Sequence, residues 1–403
     1  MRKEATTLKS SLEGIRVLDL TQIMAGPFCT MLLADLGADV IKIEKPAGGD
    51  DSRRMGEIVN GESAAFLTLN RNKRGIVLDL RTEQGKDVLW RLIAVSDVLV
   101  ENFRPGTMSK LGFDYESVHL KHPQLVYCSI SGFGQTGPWR DRGGFDLVAQ
   151  AMSGVLSVTG TPETPTKVGV PISDLNAGLF ASHAILAALY NRQHTGVGQY
   201  IETSLLEAAM AYTIWESNEH WVTGHVPQRL GTAHRASAPY QVFPTSDGFI
   251  AIGAANQRTW EKLTQALNRP DLRDDPMFLT NRDRMSHIPQ LVEALTEVLS
   301  RKTTDEWLNL LDKTGVPAGP VLSVDQVYQH PQVIARNMNL QSEHPTAGTV
   351  HTIGFPVKYS DTPATLRSLG PVLGQHTSEV LAEIGFTKDQ IDNMIEQGVI
   401  VPV

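Results

Sequence analysis

The chain has 403 residues, more than one ordinary hydrophobic core organises, so we expect two domains or one large domain with an insertion. With 44 acidic against 36 basic residues the net charge is -8, and no dense Lys/Arg run offers the extended basic surface that duplex nucleic acid requires. We therefore expect no nucleic-acid partner, whereas a small anionic ligand held by a few cations and helix N-termini stays open.

The first half of the chain alternates short β-branched runs with helical patterns, which is typical of parallel strands joined by helical crossovers. Residues 15–20 predict a strand, residues 25–36 a helix with Pro27 in its first turn, and residues 40–44 the next strand. Further strands are predicted at 76–80, 98–100 and 125–130, with a helix at 84–95. The pattern predicts an α/β fold with a Rossmann-like parallel sheet, whose ligands gather at the carboxyl ends of the strands.

Three features at the ends of predicted elements could serve a ligand. Residues 21–27 (TQIMAGP) and 131–138 (SGFGQTGP) follow strands and let the backbone approach a bound group, although both are also ordinary turn chemistry. Asp174 leads into an apolar helix at 175–190. Because Asp is a favoured N-cap residue, this carboxylate could cap the helix instead of performing chemistry, and the residues alone leave both interpretations open.

The texture of the chain changes after residue 222. A smaller α+β domain is indicated by a hairpin strand at 249–254 and helices at 260–267, 288–299 and 304–312. A later strand at 353–359 and helices at 377–384 and 387–397 are expected to return to the first domain. We predict a large domain from 1–222, a small α+β domain from 223–320 and a C-terminal segment from 321–403.

Cysteine usage and the start of the chain indicate a reducing compartment. Cys29 and Cys128 are not spaced for zinc or thiol exchange, so we expect buried, reduced thiols and no metal site. Residues 1–12 lack the apolar core of a signal peptide, and no run of roughly 18 apolar residues predicts a membrane span. Arg2 and Lys3 would suit only a short transit peptide. We predict a cytoplasmic location and no membrane partner.

Nine strings follow one another in a single order along nearly the whole chain: GIRVLDLTQIMAGPFCTMLLADLGADVIKIEKP, LNRNKRGIVLDL, VENFRPG, CSISGFGQTGP, FDLVAQAMSG, SDLNAGL, GTAHRASAPYQVF, GVPAGPV and LGQHTSEVL. In these strings the chain resembles the class III CoA-transferases. The resemblance implies an enzyme that moves coenzyme A between carboxylic acids, with acyl-CoA and small carboxylic acids as substrates and no tightly bound cofactor. It also implies a homodimer of interlocked, ring-like chains.

The resemblance assigns two catalytic positions. The family's catalytic aspartate corresponds to Asp174, whose carboxylate would attack the thioester to give an aspartyl-acyl anhydride and then an aspartyl-CoA thioester. Asp146 stands where the family has a glutamate that assists the active site, although an acid at a helix start is also an ordinary cap.

The resemblance also carries the CoA site over to eight positions of this chain. The residues expected to line the pantetheine and phosphate entry, to face the phosphates, to flank the adenine and to complete the pocket are, in that order, Ile23 and Ala25; Lys45; Leu78 and Arg81; and Asn102, Phe103 and Lys110. The cations among them suit an anionic ligand. The alternative for each cation is a solvated surface side chain.

Departures from formyl-CoA transferase point to a different substrate. Met24 and Phe145 replace a glutamine and an aromatic hydroxyl of that enzyme, which argues against formate and oxalate. The segment 231–243 looks like the succinate-hydroxymethylglutarate type, which implies a dicarboxylyl-CoA donor such as succinyl-CoA. The distal carboxylate would require a cation, and the candidates are Arg53, Arg54, His234 and Arg235. For His234 and Arg235, the alternative is a place in a solvent-exposed loop or in an interdomain salt bridge.

Two other functions stay open. Alpha-methylacyl-CoA racemase shares the fold family and needs a base and an acid on opposite faces of the substrate, which it supplies as an aspartate and a histidine. Its Gly-His-Asp string corresponds here to Gly144-Phe145-Asp146, so the second proton carrier is missing. The other alternative, a non-catalytic CoA-binding protein, is disfavoured because Asp174 is retained together with the cofactor positions.

Overall fold

The structure, a computed structural model, describes residues 9–401. Arg2 and Lys3, the basic residues considered above for a transit peptide, lie outside the described residues. The chain divides into two compact units. Unit 1 comprises the residues up to 155, residues 168–215 and the residues from 331 onward, and unit 2 comprises residues 156–167 and 216–330. The domain boundaries expected at 222 and 320 stay predictions.

The strands within the described residues are, in chain order, β1 (Arg16–Asp19), β2 (Asp39–Glu44), β3 (Ile58–Val59), β4 (Glu62–Ser63), β5 (Lys73–Val77), β6 (Val98–Glu101), β7 (Val126–Ser131), β8 (Tyr200–Ser204), β9 (Tyr240–Pro244), β10 (Phe249–Gly253), β11 (Ala318–Pro320), β12 (Asn339–His344) and β13 (Gly348–Ile353). A single turn of 3-10 helix covers Asp51–Arg54.

The α-helices of the same part of the chain are α1 (Ala25–Asp35), α2 (Ala64–Leu69), α3 (Glu83–Ala94), α4 (Thr107–Leu111), α5 (Tyr115–Lys121), α6 (Asp146–Met152), α7 (Val155–Val158), α8 (Ile172–Thr195), α9 (Leu205–Met210), α10 (Ile214–Thr223), α11 (Gln257–Ala266), α12 (Pro270–Asp274), α13 (Asn281–Ser286), α14 (Ile288–Leu299), α15 (Thr304–Thr314), α16 (Val324–Gln329), α17 (Pro331–Ala335), α18 (Thr377–Glu383) and α19 (Lys388–Glu396).

Unit 1 is built on a six-stranded sheet whose strands are all parallel, in the order β5-β2-β1-β6-β7-β8. Counted along the chain within this sheet, that is the doubly wound order of Rossmann folds. The strand order reverses between β1 and β6, which pair side by side. The predicted parallel sheet is confirmed, and its switch point lies where the segments after β1 and β6 diverge.

The sheet is buried on both faces because neighbouring residues of each strand enter different cores. Leu18 and Leu99 belong to one core, whereas Val17 and Val98, next to them in β1 and β6, belong to the other. The first core is completed by side chains of α3, α18 and α19, and the second by those of α1 and α8. Strands that are covered on both faces have continuous apolar runs in their sequence, and for this reason they could be predicted.

Two strand predictions differ from the structure. The strand expected at 76–80 is β5, Lys73–Val77. It begins earlier because Lys73 is fully buried, with its Nζ 2.9 Å from Asp19 Oδ2, and a buried charged residue interrupts the apolar pattern. The strand expected at 353–359 was wrong, since the chain instead forms a polar antiparallel hairpin from β12 and β13.

Helix α8 corrects the expectation about membrane spans. By length and composition it could cross a bilayer, although half of its most apolar window is buried. Its side chains Ala177, Ala181, Ile185 and Ala188 are fully buried in the core that α1 shares. An apolar helix buried among other elements is typical of the interior of a globular domain.

Unit 2 has its own core around a three-stranded antiparallel sheet, in the order β11-β10-β9. Strands β9 and β10 form the hairpin expected near 249–254. Helices α14 and α15 confirm the predictions at 288–299 and 304–312, and α15 begins with a Thr303–Glu306 capping box. The buried side chains that the sheet and helices share include Phe243, Ile250, Trp260, Leu263, Leu295 and Leu299.

Candidate active site

Two adjoining cavities lie in unit 1 at the switch point of the sheet. The Asp174 cavity, of about 410 Å³, is lined by residues that include Gln22, Ile23, Ala25, Asn102, Phe103, Arg104, Arg142, Phe145 and Asp174. The Lys45 cavity, of about 290 Å³, is lined by residues that include Leu20, Gln22, Ile43, Lys45, Leu78, Leu80, Arg81, Phe103 and Leu111. Gln22 and Phe103 line both, so the two cavities share a wall.

Asp174 lies in the first turn of α8, half-buried on the wall of its cavity. The interpretation of Asp174 as the N-cap was wrong, because α8 begins at Ile172 and Pro171 is the N-cap residue. The first turn of a helix still leaves backbone N–H groups unpaired and carries a positive dipole end, which stabilises a carboxylate. Asp174 therefore lies at the positive end of the α8 dipole, on the wall of its cavity.

A glycine brings α8 and α1 close enough for Asp174 to share a cavity with Ala25. A Cβ atom on Gly178 would lie 2.5 Å from the carbonyl oxygen of Ala25, closer than such atoms approach. Only glycine therefore allows this contact, one helical turn beyond Asp174.

Asp146 is buried and bonds to the helix that carries Asp174. Its Oδ1 accepts a hydrogen bond of 3.0 Å from the backbone N–H of Ser173, and its Oδ2 one of 2.8 Å from Gln150. Asp146 is the first residue of α6 and is only 8 % exposed. It thus ties α6 to the first turn of α8, directly before the predicted nucleophile.

The glycine-rich segments after β7 form another part of the cavity wall. Cβ atoms on Gly132 and Gly144 would each lie within 2.7 Å of the other residue's Cα, so the two backbones touch. Both glycines line the Asp174 cavity, beside Phe145. The backbone of segment 131–138, which was expected to approach a bound group closely, therefore contacts residues 143–145. Peptide groups of both segments lie on the cavity wall.

Four of the predicted CoA-binding residues, Ile23, Ala25, Asn102 and Phe103, line the Asp174 cavity. The carboxamide of Asn102 is engaged with the backbone of Gln22, accepting from its N–H and donating to its carbonyl oxygen, both at 2.8 Å. Asn102 thereby joins the loops that follow β1 and β6.

Three predicted CoA-binding residues, Lys45, Leu78 and Arg81, line the second cavity together with Phe103. The cations lie opposite acids of this chain: Lys45 Nζ is 2.9 Å from Asp51 and Arg81 Nη2 is 2.7 Å from Asp79. Such exposed pairs are weak and an anionic ligand can displace them. Lys110, the remaining predicted CoA-binding residue, lies in the last turn of α4 and lines neither cavity.

The predicted substrate-binding residues have partners elsewhere. Arg53 makes two 2.7 Å bonds to Glu44 and lies over the ring of Phe66, and it lines neither cavity. In unit 2, Arg235 pairs with Glu216 and Glu219 at 3.0 and 2.9 Å.

Further contacts concern Arg54 and His234. Arg54 Nη2 lies 3.2 Å from Asp51, and the His234 ring packs against Tyr240 at 5.1 Å. The substrate roles of Arg53, Arg54, His234 and Arg235 stay predictions.

Two arginines that the sequence reasoning passed over, Arg104 and Arg142, do line the Asp174 cavity. Arg142 lies over the ring of Trp139 at 3.7 Å. Within residues 9–401 neither guanidinium pairs with a carboxylate. For Arg104 a signal existed, because it follows Asn102 and Phe103 directly after the end of β6, where ligands of such sheets gather.

Buried ionisable groups near the strand ends have shifted pKa values. Burial raises the pKa of Glu101, the last residue of β6, to about 7, and its Oε2 accepts a 2.9 Å bond from Phe103 N–H. Burial also raises the pKa of both thiols, and the predicted buried, free state of Cys29 and Cys128 is confirmed.

No cluster of His, Cys, Asp or Glu that could hold a metal ion occurs in the part of the chain that the structure describes.

Comparisons with known proteins agree along the chain. The model of CoA-transferase family III matches residues 12–377. A mouse (Mus musculus) succinyl-CoA:glutarate CoA-transferase is 40% identical over 96% of this chain and 90% of its own length. An Acetobacter aceti acetyl-CoA:oxalate CoA-transferase is 41% identical over 87% of this chain and 90% of its own length. The crystal structure of a CAIB/BAIF family protein from Brucella suis superposes with a TM-score of 0.84 at 38% identity, covering 93% of this chain and 99% of that one.

Proposed function

The chain belongs to CoA-transferase family III, and from that premise we propose that it moves coenzyme A from succinyl-CoA to a second dicarboxylic acid, with Asp174 as the nucleophile. Its activity as a CoA-transferase follows from the family. The proposal adds the donor, the acceptor class and the residue that carries the covalent intermediate.

One observation carries the proposal: the carboxylate of Asp174 shares a cavity with two arginines that have no carboxylate partner in the described residues. A nucleophile and a binding site for a second anion thus lie together. The adjoining Lys45 cavity, with apolar walls and cations at its rim, suits the adenosine and phosphates of coenzyme A.

The proposed reaction uses Asp174 twice. Its carboxylate oxygen attacks the thioester carbonyl, the C–S bond breaks, and an aspartyl-acyl anhydride forms with free CoA thiolate. The thiolate attacks the Asp174 carbonyl of the anhydride, which gives an aspartyl-CoA thioester and releases the donor acid. The acceptor carboxylate then attacks the aspartyl-CoA thioester, the C–S bond breaks, and a second aspartyl-acyl anhydride forms with free CoA thiolate. The thiolate attacks the acyl carbonyl of this anhydride, which gives the new acyl-CoA and releases the carboxylate of Asp174.

The surroundings of Asp174 support this role. The N-terminus of α8 stabilises the ionised carboxylate, and Asp146 fixes the preceding residue by accepting from the N–H of Ser173. We assign Asp146 to positioning Asp174, in keeping with its place as an assisting acid. A carboxylate needs no general base to act as nucleophile, so the missing histidine at position 145 does not hinder transfer.

Carboxylate recognition supports dicarboxylic substrates. Arg104 and Arg142 offer planar, bidentate donors to the distal carboxylate of a succinyl group. The mouse relative is named for succinyl-CoA and glutarate, and the Acetobacter relative for acetyl-CoA and oxalate. Both names contain a dicarboxylic acid, and with Met24 and Phe145 in the cavity wall we favour succinate and glutarate over oxalate.

A homodimer is part of the proposal. Helices α6, α8 and α9 adjoin in unit 1 and expose the apolar side chains Leu147, Val148, Met152, Leu179, Phe180 and Met210. Exposed apolar side chains on adjoining helices are typical of a protein interface. We expect a dimeric mass by light scattering and a monomeric mass for Phe180→Asp, and an unchanged dimer in that variant would remove this face from the interface. The interlocked, ring-like arrangement rests on the family resemblance.

The proposed function is tested by incubating the protein with succinyl-CoA and a panel of free acids and identifying new thioesters by mass spectrometry. Glutaryl-CoA is the expected product from glutarate, while acetate and formate should give little. Transfer to monocarboxylic acids alone would contradict the dicarboxylate assignment. No transfer at all, with loss of stereochemistry in a branched acyl-CoA, would revive the racemase. A cytoplasmic location is likewise proposed, and cell fractionation tests it.

A further inference from the structure

The loop between β1 and α1 contains a backbone conformation that its side chain disfavours. Ile23 has φ of 69°, in the left-handed region. A β-branched residue rarely adopts this region, because its Cβ substituents crowd the backbone. Such a residue persists only where its surroundings over-determine it, and such sites concentrate around ligands. Ile23 lies on the wall of the Asp174 cavity.

A buried carboxylate holds Ile23 in this conformation. The backbone N–H of Ile23 donates to both oxygens of Asp50, with N···O distances of 3.0 and 3.2 Å. Asp50 is 1 % exposed, and it also accepts from the N–H and the hydroxyl of Ser52 at 2.9 and 2.8 Å. Asp50 is thus buried, and it is not among the residues that line the Asp174 cavity.

A lysine closes the arrangement on the other side. Lys42 Nζ lies 2.9 Å from Asp50 Oδ2 and donates to the carbonyl oxygen of Thr21 at 2.9 Å. The ion pair of Lys42 and Asp50 thus grips the loop at residues 21 and 23 together. Between them, Gln22 is bonded at both its N–H and its carbonyl oxygen by Asn102. Three successive residues of the loop are therefore fixed by side chains from other segments.

This arrangement is unusual as a stabilising device. Both side chains of the ion pair are 0 % exposed, and desolvating two charges offsets much of their attraction. Apolar residues of similar volume would often hold a fold as well. An ion pair that spans two residues of a loop, in contrast, dictates where their peptide groups point. Its effect is local to the loop, whose next residues line the cavity.

We propose that Asp50, with Lys42 as its counter-ion, is a positioning residue that holds Ile23 in the left-handed conformation and so shapes the wall against which the acyl-CoA thioester meets Asp174. Asp50 touches no substrate and acts through Ile23. This inference rests on the proposed function for its consequence in turnover, but the grip on the loop stands independently. A misplaced thioester loses turnover more than binding, since positioning dominates the rate of such attacks.

The first test compares Asp50→Ala and Asp50→Asn with Asp35→Ala, each at matched concentrations of folded protein. Asp35 forms another buried ion pair of unit 1, with Arg71 at 2.6 Å, and lines neither cavity. We expect kcat of Asp50→Ala to fall about 10- to 100-fold with the KM for succinyl-CoA within about threefold of wild type. The kcat of Asp50→Asn should fall less, because asparagine keeps one acceptor oxygen although it carries no charge. Asp35→Ala should lose stability with kcat within about twofold of wild type.

The second test asks whether the effect runs through Ile23. Glycine adopts a positive φ without strain, so a loop with Ile23→Gly needs less help from Asp50. The loss of kcat caused by Asp50→Ala should therefore be at least about threefold smaller in the Ile23→Gly background than in wild type. Equal losses in both backgrounds, or a folded Asp50→Ala variant with wild-type kcat, would overturn the proposal.

A third readout needs no substrate. Hydrogen exchange of the peptide covering residues 21–25, followed by mass spectrometry, should be at least about tenfold faster in Asp50→Ala and unchanged in Asp35→Ala. Unchanged exchange in Asp50→Ala would overturn the grip itself. If wild type failed to transfer CoA from succinyl-CoA while exchange behaved as expected, the proposed function would fail and the grip on Ile23 would stand.

Discussion

The two cavities at the switch point differ in what lines them. The Asp174 cavity presents the carboxylates of Asp174 and Asp51, two arginines and the backbone of three glycines. The Lys45 cavity presents mainly leucine and isoleucine side chains, with Lys45 and Arg81 as its cations. Its two carboxylates, Glu44 and Asp79, are paired with Arg53 and Arg81. The two cavities meet at Gln22 and Phe103. In the proposed function, the first cavity serves the chemistry and the second serves the binding of coenzyme A.

This difference indicates that two parts of one thioester substrate have separate roles, the acyl group in the chemistry and the CoA moiety in affinity. Contacts to a remote part of a substrate supply binding energy, whereas groups at the reacting carbon decide the rate. Changes in the Asp174 cavity should therefore lower kcat or the selectivity between acids. Changes in the Lys45 cavity should raise the KM for the CoA ester and leave kcat alone.

The largest expected effect is at Asp174. Asp174→Asn should lower kcat at least about 1,000-fold, because a carboxamide cannot carry the acyl group. Binding of CoA, measured by calorimetry, should stay within about threefold of wild type, since the Lys45 cavity is untouched. A variant that turned over at a tenth or more of the wild-type rate would erase the distinction between the cavities.

The next effect concerns the distal carboxylate. Arg142→Ala should raise the KM for glutarate about 10- to 100-fold, the range expected for a charge-assisted hydrogen bond. The KM for a monocarboxylic acid should change far less. Arg140 is a matched control two residues away, since it pairs with Asp141 and does not line the cavity. A larger selective rise in Arg235→Ala than in Arg142→Ala would favour the residue expected from the sequence.

A smaller effect is expected in the Lys45 cavity. Lys45→Ala should raise the KM for succinyl-CoA about three- to fivefold with kcat unchanged, because an exposed cation contributes modestly to binding a phosphate. The difference should shrink at high salt. Lys110→Ala, at a predicted CoA-binding position that lines neither cavity, should change the KM less. A fall in kcat in Lys45→Ala would show that the cavities do not divide the work.

The smallest effect on turnover is expected at Glu101, which bonds the N–H of the shared residue Phe103. Burial raises the pKa of Glu101 from 4.5 to about 7, so between these values the folded chain binds a proton that the unfolded chain releases. Stability therefore falls as the pH rises through this window and stays lower above it. Glu101→Gln should remove this fall, by up to about 3 kcal/mol, and leave kcat unchanged.

Urea unfolding of both proteins from about pH 5 to pH 8 measures this effect. The free energy of unfolding of the Glu101→Gln variant should exceed that of wild type at the alkaline end and converge with it at the acid end. Parallel curves would show that the Glu101 carboxyl is not the group that titrates.

The sheet could be predicted from its apolar runs, and the errors have physical causes. Strand β5 begins earlier than predicted because its first two residues, Lys73 and Arg74, are charged and paired with acids. Lys73 is buried, and a charged residue in a sequence argues against a buried strand position. Helix α8 begins before its apolar stretch, since Ser173 is held by Asp146 from a distant segment. Such long-range partners leave no trace in local patterns.

The site was predictable in part for the same reason. Motif positions such as Ile23, Asn102 and Asp174 do meet in one cavity. Arg142 could not be placed, because its loop reaches the cavity through the contact of Gly132 with Gly144. Arg53 is paired with Glu44 in the folded chain, a partner that the sequence did not indicate, and its substrate role stays a prediction. Which cation meets a ligand depends on which carboxylates the fold brings to it first.

The most direct measurement traps the intermediate on Asp174. The protein is mixed with succinyl-CoA and hydroxylamine without an acceptor acid, then digested and analysed by mass spectrometry. Our account predicts a hydroxamate on the peptide that contains Asp174, and its loss in Asp174→Asn. A hydroxamate on another side chain, or none while the enzyme turns over, would contradict it.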